Sequence, residues 1–173
     1  MEKEILQSLI AAGSALLGSG LTFLGQSKLA NIQSKINKQK IKFEKNRESL
    51  AELKAYQLSL IHVLTFLKEQ TELFEKNELE QEMYSTLKNI AVQQLNKIIY
   101  EATTLNNKQL DFQIEELSEL YQDVDVFMCH YLLKDSYTDI NKVYPKIDTY
   151  DTLISKSKKI LDRIKETAKE IDE

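Results

Sequence analysis

Glycine and proline are nearly absent from most of this chain. All four glycines lie between residues 13 and 25, and Pro145 is the only proline. Because these residues are the strongest helix breakers, almost nothing interrupts a helix between residues 26 and 144. Alternating apolar and polar runs bounded by turn residues, which are typical of β-strands, are absent too. The sequence therefore predicts an all-α protein.

Cysteine and histidine are also scarce, which limits the chemistry available. Cys129 is the only cysteine, and His62 and His130 are the only histidines. Adjacent residues such as Cys129 and His130 point about 100° apart on a helix, and two ligands fall short of the four that a structural zinc site needs. The motifs of di-iron bundles, phosphate-binding loops, α/β-hydrolases and metalloproteases do not occur. We predict no enzymatic activity, no cofactor and no metal, and we expect both histidines to be core or rim residues.

Near the N-terminus, no charged residue lies between Glu4 and Lys28. At ~1.5 Å per residue, a helix over residues 5–26 is long enough to cross the ~30 Å hydrocarbon core of a bilayer. We predict that residues 1–27 form a single transmembrane helix. A secretory signal peptide fits less well, because the first four residues carry two acids and one lysine. A soluble amphipathic helix buried by oligomerisation is a further alternative.

One face of the predicted span carries small and weakly polar side chains. These residues fall within about 80° of one another at 100° per residue; they are Gln7, Ala11, Ser14, Gly18, Thr22 and Gly25. Small residues let helices approach closely, and hydroxyls can hydrogen-bond across a helix pair. We interpret this face as a self-association surface between copies of the chain that lines a pore, with a plain membrane anchor as the alternative.

The residues after the predicted span are strongly basic. Only Glu44 opposes the positive charges in the twenty residues after residue 27, and these are Lys28, Lys35, Lys38, Lys40, Lys42, Lys45 and Arg47. Positive flanks stay on the cytoplasmic side and are attracted to anionic headgroups. We predict a single-pass protein of the inner (cytoplasmic) membrane, with a basic stalk over residues 28–48 at the membrane surface. RNA binding by this run is less favoured, because it lacks aromatic residues to stack on bases.

Residues 49–173 are predicted to form a cytoplasmic bundle of four helices packed up and down. A break near Asn46 and a capping-box pattern at Ser49 and Glu52 predict the start of the first bundle helix. An apolar stripe then continues to about residues 74–77; it consists of Leu50, Leu53, Gln57, Leu60, Ile61, Leu64 and Leu67.

The remaining three helices are predicted over about residues 78–105, 109–134 and 146–171. Asn106 and Asn107 are assigned to the turn after the first of them. The inward face of that helix is predicted to consist of Leu79, Met83, Leu87, Ile90, Ala91, Ile98, Ala102 and Leu105. Pro145 suits the start of the last helix. The acidic stretches 69–82 and 111–125 predict solvated faces, with contact to basic segments of a neighbouring copy as the alternative.

The layout of one N-terminal span, a basic stalk and a four-helix bundle resembles the membrane accessory proteins of type VI CRISPR systems. Their bundle is similar to the HEPN fold, and they form ring-shaped membrane pores that strengthen antiphage defence. The Arg-x4–6-His motif of active HEPN ribonucleases is absent after both Arg47 and Arg163, so no catalytic residue is carried over. Such a site would require Arg163 and His130, which lie on different predicted helices, to come into contact in the folded chain.

The functional prediction is a membrane-anchored homo-oligomer that forms a pore or perturbs the membrane, as an accessory in CRISPR-linked defence. Its expected partners are other copies of itself, the lipid bilayer, and a cytoplasmic protein or ribonucleoprotein effector. Two alternatives stay open at this point. One is a non-conducting membrane tether that presents its bundle to a partner, and the other is a degenerate HEPN ribonuclease.

Overall fold

The computed structural model describes the backbone of residues 2–133 and 146–172 and the side chains of residues 29–133 and 146–171. These parts of the chain contain four α-helices, one π-helical turn and no β-strand. The helices are α1 (Glu2–Glu75), α2 (Gln81–Lys108), α3 (Glu115–Phe127) and α4 (Ile147–Asp172), and the π-helical turn is Met128–Leu132. The predicted all-α class is confirmed.

The chain divides into two compact units, Met1–Phe43 and Glu44–Glu173. The first unit lies within α1, and all of its described side chains are exposed. The second unit holds the rest of α1, α2, α3 and α4 around one hydrophobic core. The predicted roles of residues 1–27, 28–48 and 49–173 stay predictions.

The order of contacts along the helices gives their directions within the second unit. Gln57 of α1 bonds to the Ser157 carbonyl of α4, whereas Lys68, further along α1, bonds to Asp151, which comes earlier in α4. The two helices are therefore antiparallel. α1 also contacts Tyr121 of α3 through Gln57, so one buried residue of α1 touches both α3 and α4.

Leucine dominates the core of the second unit. The predicted stripe on α1 is confirmed, because all seven of its members are buried. The largest fully buried side chains come from all four helices and the π-helical turn: Tyr150, Leu50, Leu53, Leu60, Leu64, Leu67, Leu95, Leu117, Leu120, Met128, Leu132 and Ile164. The inward face predicted for α2 is confirmed at Ala91, Ile98, Ala102 and Leu105, which are buried. It is wrong at Met83 and Ile90, which are 58% and 48% exposed, and Tyr84 is buried instead of its neighbour Met83.

The end of α1 is closed by a Schellman motif. Asn77 has φ 58°, and the amides of Asn77 and Glu78 donate to the carbonyls of Phe74 and Leu73 at 3.0 and 2.9 Å. Asparagine tolerates this left-handed conformation better than most residues with a side chain, which is why the helix stops here without glycine. The predicted end at residues 74–77 is confirmed.

The predicted helix break near Asn46 is wrong. α1 passes through this position without interruption, and Ser49 is a buried residue inside the helix instead of a cap. Asn46 uses its side chain for a tertiary contact: its amide exchanges two hydrogen bonds of 3.2 Å with the backbone amide and the carboxylate of Asp111. A polar residue that seemed to end the helix therefore fastens the segment before α3.

The turn predicted at Asn106 and Asn107 is also misplaced. α2 continues to Lys108, and α3 begins at Glu115. Asn106 is buried, and its side chain forms a two-bond clamp on Ile114: Nδ2 donates to the Ile114 carbonyl at 3.1 Å, and the Ile114 amide donates to Oδ1 at 2.9 Å. This clamp satisfies both backbone groups of the residue that precedes α3.

Replacing Asn106 with leucine should lower the free energy of unfolding by about 2 kcal/mol, because the amide of Ile114 loses its partner and the carbonyl keeps only the bond from the Leu117 amide. Asn107→Leu is the matched control, since Asn107 is the exposed neighbour and its replacement should change stability by less than about 0.5 kcal/mol. Urea unfolding followed by circular dichroism measures both. Equal stability of the two variants would contradict the role of the clamp.

Candidate functional site

The predicted self-association face lies outside the described side chains. This applies to all six of its members: Gln7, Ala11, Ser14, Gly18, Thr22 and Gly25. Where the structure does describe the chain, no helix is long and apolar enough to span a bilayer. Transmembrane insertion of residues 5–26 therefore stays a prediction.

The basic residues predicted for the membrane surface are exposed wherever their side chains are described. In the first unit these are Lys35, Lys38, Lys40 and Lys42, and in the second unit Lys45 and Arg47. Lys28 lies outside the described side chains. Residues 28–43 contain no acidic residue. All charged residues in this stretch of the sequence are therefore basic.

An apolar stripe accompanies these charges in the first unit. Leu29, Ile32, Ile36 and Phe43, which we call the stalk seam, are 64%, 54%, 56% and 39% exposed. Their spacing follows a heptad repeat, with residues 29, 36 and 43 at positions a and residue 32 at position d. The same repeat, continued in sequence, reaches the core leucines Leu50 and Leu53. One repeat thus supplies buried residues in the bundle and exposed residues in the first unit.

The histidines and the cysteine are surface residues of the second unit. His62, Cys129 and His130 are all exposed, so neither histidine is a core residue. Cys129 and His130 lie on the π-helical turn, where the Leu133 amide donates to the Met128 carbonyl at 2.8 Å. Within residues 29–133 and 146–171, no three histidine, cysteine or acidic side chains are grouped so that they could hold a metal.

The Arg163–His130 pair that a HEPN-like site would need is not formed. The Nε atom of Arg163 lies 3.9 Å from Glu116 at the start of α3. His130 comes fourteen positions later along α3 and the π-helical turn, which is about 20 Å at 1.5 Å per residue. The two side chains thus lie near opposite ends of the α3–α4 interface.

A charged groove runs along that interface. α3 contributes Glu116, Glu119 and Asp123, and α4 contributes Lys156 and Arg163. It comprises two adjoining hollows of about 470 and 380 Å³ that share Asp123 and Lys156, whose carboxylate and ammonium groups lie 2.5 Å apart. Exposed ion pairs of this kind contribute at most about 1 kcal/mol each. The acidic face predicted for α3 is therefore partly neutralised by α4 of the same chain.

Two buried polar clusters link the helices of the second unit. In the Gln57 cluster (Gln57, Tyr121, Ser157), the Tyr121 hydroxyl donates to Gln57 Oε1 at 3.2 Å, and Gln57 Nε2 donates to the Ser157 carbonyl at 3.0 Å. Ser157 donates its own hydroxyl proton to the Leu153 carbonyl. Helices α1, α3 and α4 thereby share one hydrogen-bonded chain in the core.

The Thr71 cluster (Thr71, Tyr84, Tyr150) joins α1, α2 and α4. Thr71 Oγ1 donates to the Leu67 carbonyl at 2.8 Å and lies 3.1 and 3.0 Å from the hydroxyls of Tyr84 and Tyr150. Because threonine has one hydroxyl proton, both tyrosines must donate to it. Burial raises the pKa of Tyr150 and of Tyr121 well above the ordinary value of 10.0.

The buried polar side chains of the described residues do not require a ligand. Throughout the described side chains, every buried nitrogen and oxygen atom has a hydrogen-bond partner. The buried stripe predicted on α1 includes Gln57. No local pattern indicates, however, with which other helix a buried amide or hydroxyl will form a hydrogen bond. The arrangement of these side chains is that of a structural core.

Comparisons with known proteins add no relative. No protein-family model matches the chain, and no curated protein and no solved structure matches it at a significant level.

Proposed function

We propose that this protein is a single-pass protein of the inner membrane whose copies associate through the start of α1 to form a pore, with the helical bundle in the cytoplasm. The observation that supports the proposal is the continuity of α1 from Glu2 to Glu75. The predicted span and the first bundle helix are thus parts of one helix. In sequence, residues 11, 18, 22 and 25 of the small face fall in the same heptad register as the stalk seam.

In this proposal, the small residues let neighbouring spans approach closely, and Gln7, Ser14 and Thr22 supply the polar lining. The lysines that follow lie at the cytoplasmic headgroups, where each adds up to ~1 kcal/mol of attraction. The chain itself performs no covalent chemistry and needs no cofactor. Its effect is dissipation of the membrane potential.

Gly18→Leu should reduce the copy number and abolish permeability, because a leucine on the small face keeps neighbouring helices apart. Ala12→Leu is the matched control, since it adds the same side chain about 120° away from Gly18 on the helix. Native mass in detergent and dye release from proteoliposomes are the measurements. Unchanged mass and dye release in Gly18→Leu would contradict the pore, and release of the full-length chain by carbonate would contradict the membrane anchor.

The resemblance to CRISPR accessory proteins extends the proposal to antiphage defence. Co-expression with a type VI effector should then lower phage plating efficiency beyond the effect of the effector alone. The Gly18→Leu variant should lose this enhancement, and Ala12→Leu should retain it. If the wild type and both variants enhanced protection equally, the defence role would not depend on the pore.

A second candidate is a non-conducting membrane tether, and the stalk seam is the observation that favours it. An exposed apolar stripe beside lysines is a surface for a partner protein, and it requires no pore. This candidate predicts that a generic leucine-rich span can replace residues 5–26 without loss of partner binding. The same replacement would eliminate pore activity, so the two candidates give opposite results.

A further inference from the structure

The stalk seam is narrow. At 100° per residue its four side chains fall within about 60°, and Ile41, which is also exposed, lies about 150° away from their centre. Helices that lie in a membrane surface or against a protein core present a broader apolar face, of at least about 100°, whereas a narrow a/d stripe is the seam of a coiled coil. The geometry thus favours a single helix as the occupant of the seam over a lipid surface.

The charges beside the seam determine which kind of helix fits. In the heptad frame, Lys35 and Lys42 occupy g positions and Lys40 occupies an e position. Residues at e and g face the e and g residues of the partner helix and set partner choice and orientation. A second copy would place lysine opposite lysine in either orientation. Acidic residues at those positions would instead form ion pairs on both sides of the seam.

We propose that the stalk seam binds an amphipathic helix of another protein, with apolar a and d positions between acidic e and g positions. Leu29, Ile32, Ile36 and Phe43 supply the apolar contact, and the lysines select the acidic partner. The site consists of described residues of the first unit and does not depend on the span. The peptide measurements report on the seam and the permeability measurements report on the span, so the two proposals can fail independently.

The test uses the full-length protein in detergent and two synthetic peptides of about three heptads with leucine at a and d. The probe peptide carries glutamate at e and g, and the reference peptide carries lysine there. Fluorescence anisotropy should show binding of the glutamate peptide at least about tenfold tighter than that of the lysine peptide. This preference should fall several-fold between about 0.05 and about 0.5 M salt, because exposed ion pairs are screened.

Variants of exposed apolar residues test whether the peptide binds the stalk seam specifically or binds any exposed apolar side chain. Ile36→Asn should weaken binding of the glutamate peptide at least about tenfold, because a polar residue enters the centre of the seam. Ile41→Asn is the matched control, since Ile41 is 64% exposed and lies outside the seam; it should bind like the wild type. Neither change touches the buried core, so the fold is retained, and circular dichroism verifies this.

Charge reversal tests the selection step directly. Lys35→Glu combined with Lys40→Glu should invert the preference, so that the lysine peptide binds more tightly than the glutamate peptide. Lys38→Glu is the control, because residue 38 lies at position c on the outer side of the helix. The Lys38→Glu variant should still bind the glutamate peptide more tightly than the lysine peptide.

Three results would overturn the proposal. The first is equal affinity for both peptides. The second is self-association of the wild type that Ile36→Asn abolishes and the glutamate peptide does not displace, which would assign the seam to a second copy. The third is protection of the seam by anionic vesicles with no peptide binding, which would assign it to the bilayer surface.

Discussion

Replacing Gln57 with methionine is expected to lower the free energy of unfolding of the bundle by about 2 kcal/mol. Methionine nearly preserves the volume but removes both partners of the amide. The Tyr121 hydroxyl would then be buried without a hydrogen bond, at a cost of about 1–3 kcal/mol, and the Ser157 carbonyl would keep only its backbone bond within α4. Urea unfolding followed by tyrosine fluorescence measures the change.

The companion variant for this prediction is Gln57→Met combined with Tyr121→Phe. It removes the orphaned hydroxyl together with the amide, so it should recover at least about 1 kcal/mol of the loss. Gln94→Met, at an exposed position of α2, controls for the chemistry of the substitution and should be nearly neutral. If Gln57→Met were as stable as Gln94→Met, the Gln57 cluster would have no structural importance.

The bundle is expected to lose stability steeply above about pH 10. Tyr121 and Tyr150 keep their protons in the folded state because burial raises the pKa of both, whereas unfolded tyrosine ionises near 10.0. The unfolded state therefore binds fewer protons than the folded state above that pH, and stability falls as pH rises. Two such tyrosines give a slope of up to about 2.7 kcal/mol per pH unit. Below pH 9 neither group contributes a slope.

Unfolding curves between pH 9 and 11.5 test this expectation. The variant with both Tyr121→Phe and Tyr150→Phe should be less stable at neutral pH but should show a much shallower alkaline slope. Tyr100→Phe removes a tyrosine that is 71% exposed, and its slope should match that of the wild type. A slope that stays the same in the double variant would show that these two hydroxyls do not cause the alkaline loss.

Much of the helical architecture was predictable because leucine and isoleucine recur at helical spacing over long stretches without glycine or proline. The stripe from Leu50 to Leu67 and the bounds of α4 followed directly from this period. The end of α1 was predictable as well, since Asn77 is a residue that accepts the left-handed conformation. Patterns of this kind are local, and local patterns survive folding.

Sequence and structure differ where a polar residue has its partner outside its own helix. The local sequence indicates a break at Asn46 and a turn at Asn106, but each forms a pair of hydrogen bonds with the segment that precedes α3. The sequence contains no local sign of those partners. The start of α2 differs from the prediction for a related reason: the Tyr84 hydroxyl is buried against Thr71, whereas an apolar pattern favours Met83.

The candidate site was only partly accessible from sequence. Leu29, Ile32 and Ile36 were recognisable as a periodic set, and the lysines as a basic run. The sequence does not indicate that these apolar residues stay exposed. Their exposure distinguishes a partner-binding seam from a buried core. The predicted face around Gly18 remains a prediction that the permeability and mass measurements decide.

The two polar clusters have a consequence for how the helices align. Leucines spaced seven residues apart look alike to their neighbours, so a bundle held by them alone could slide by one repeat at little cost. Such a slip would move the Gln57 amide to a place lined by leucines and would leave Tyr121 and Ser157 facing hydrocarbon. Hydrogen bonds with fixed partners thus give the helices of a repetitive core a single register along their axes.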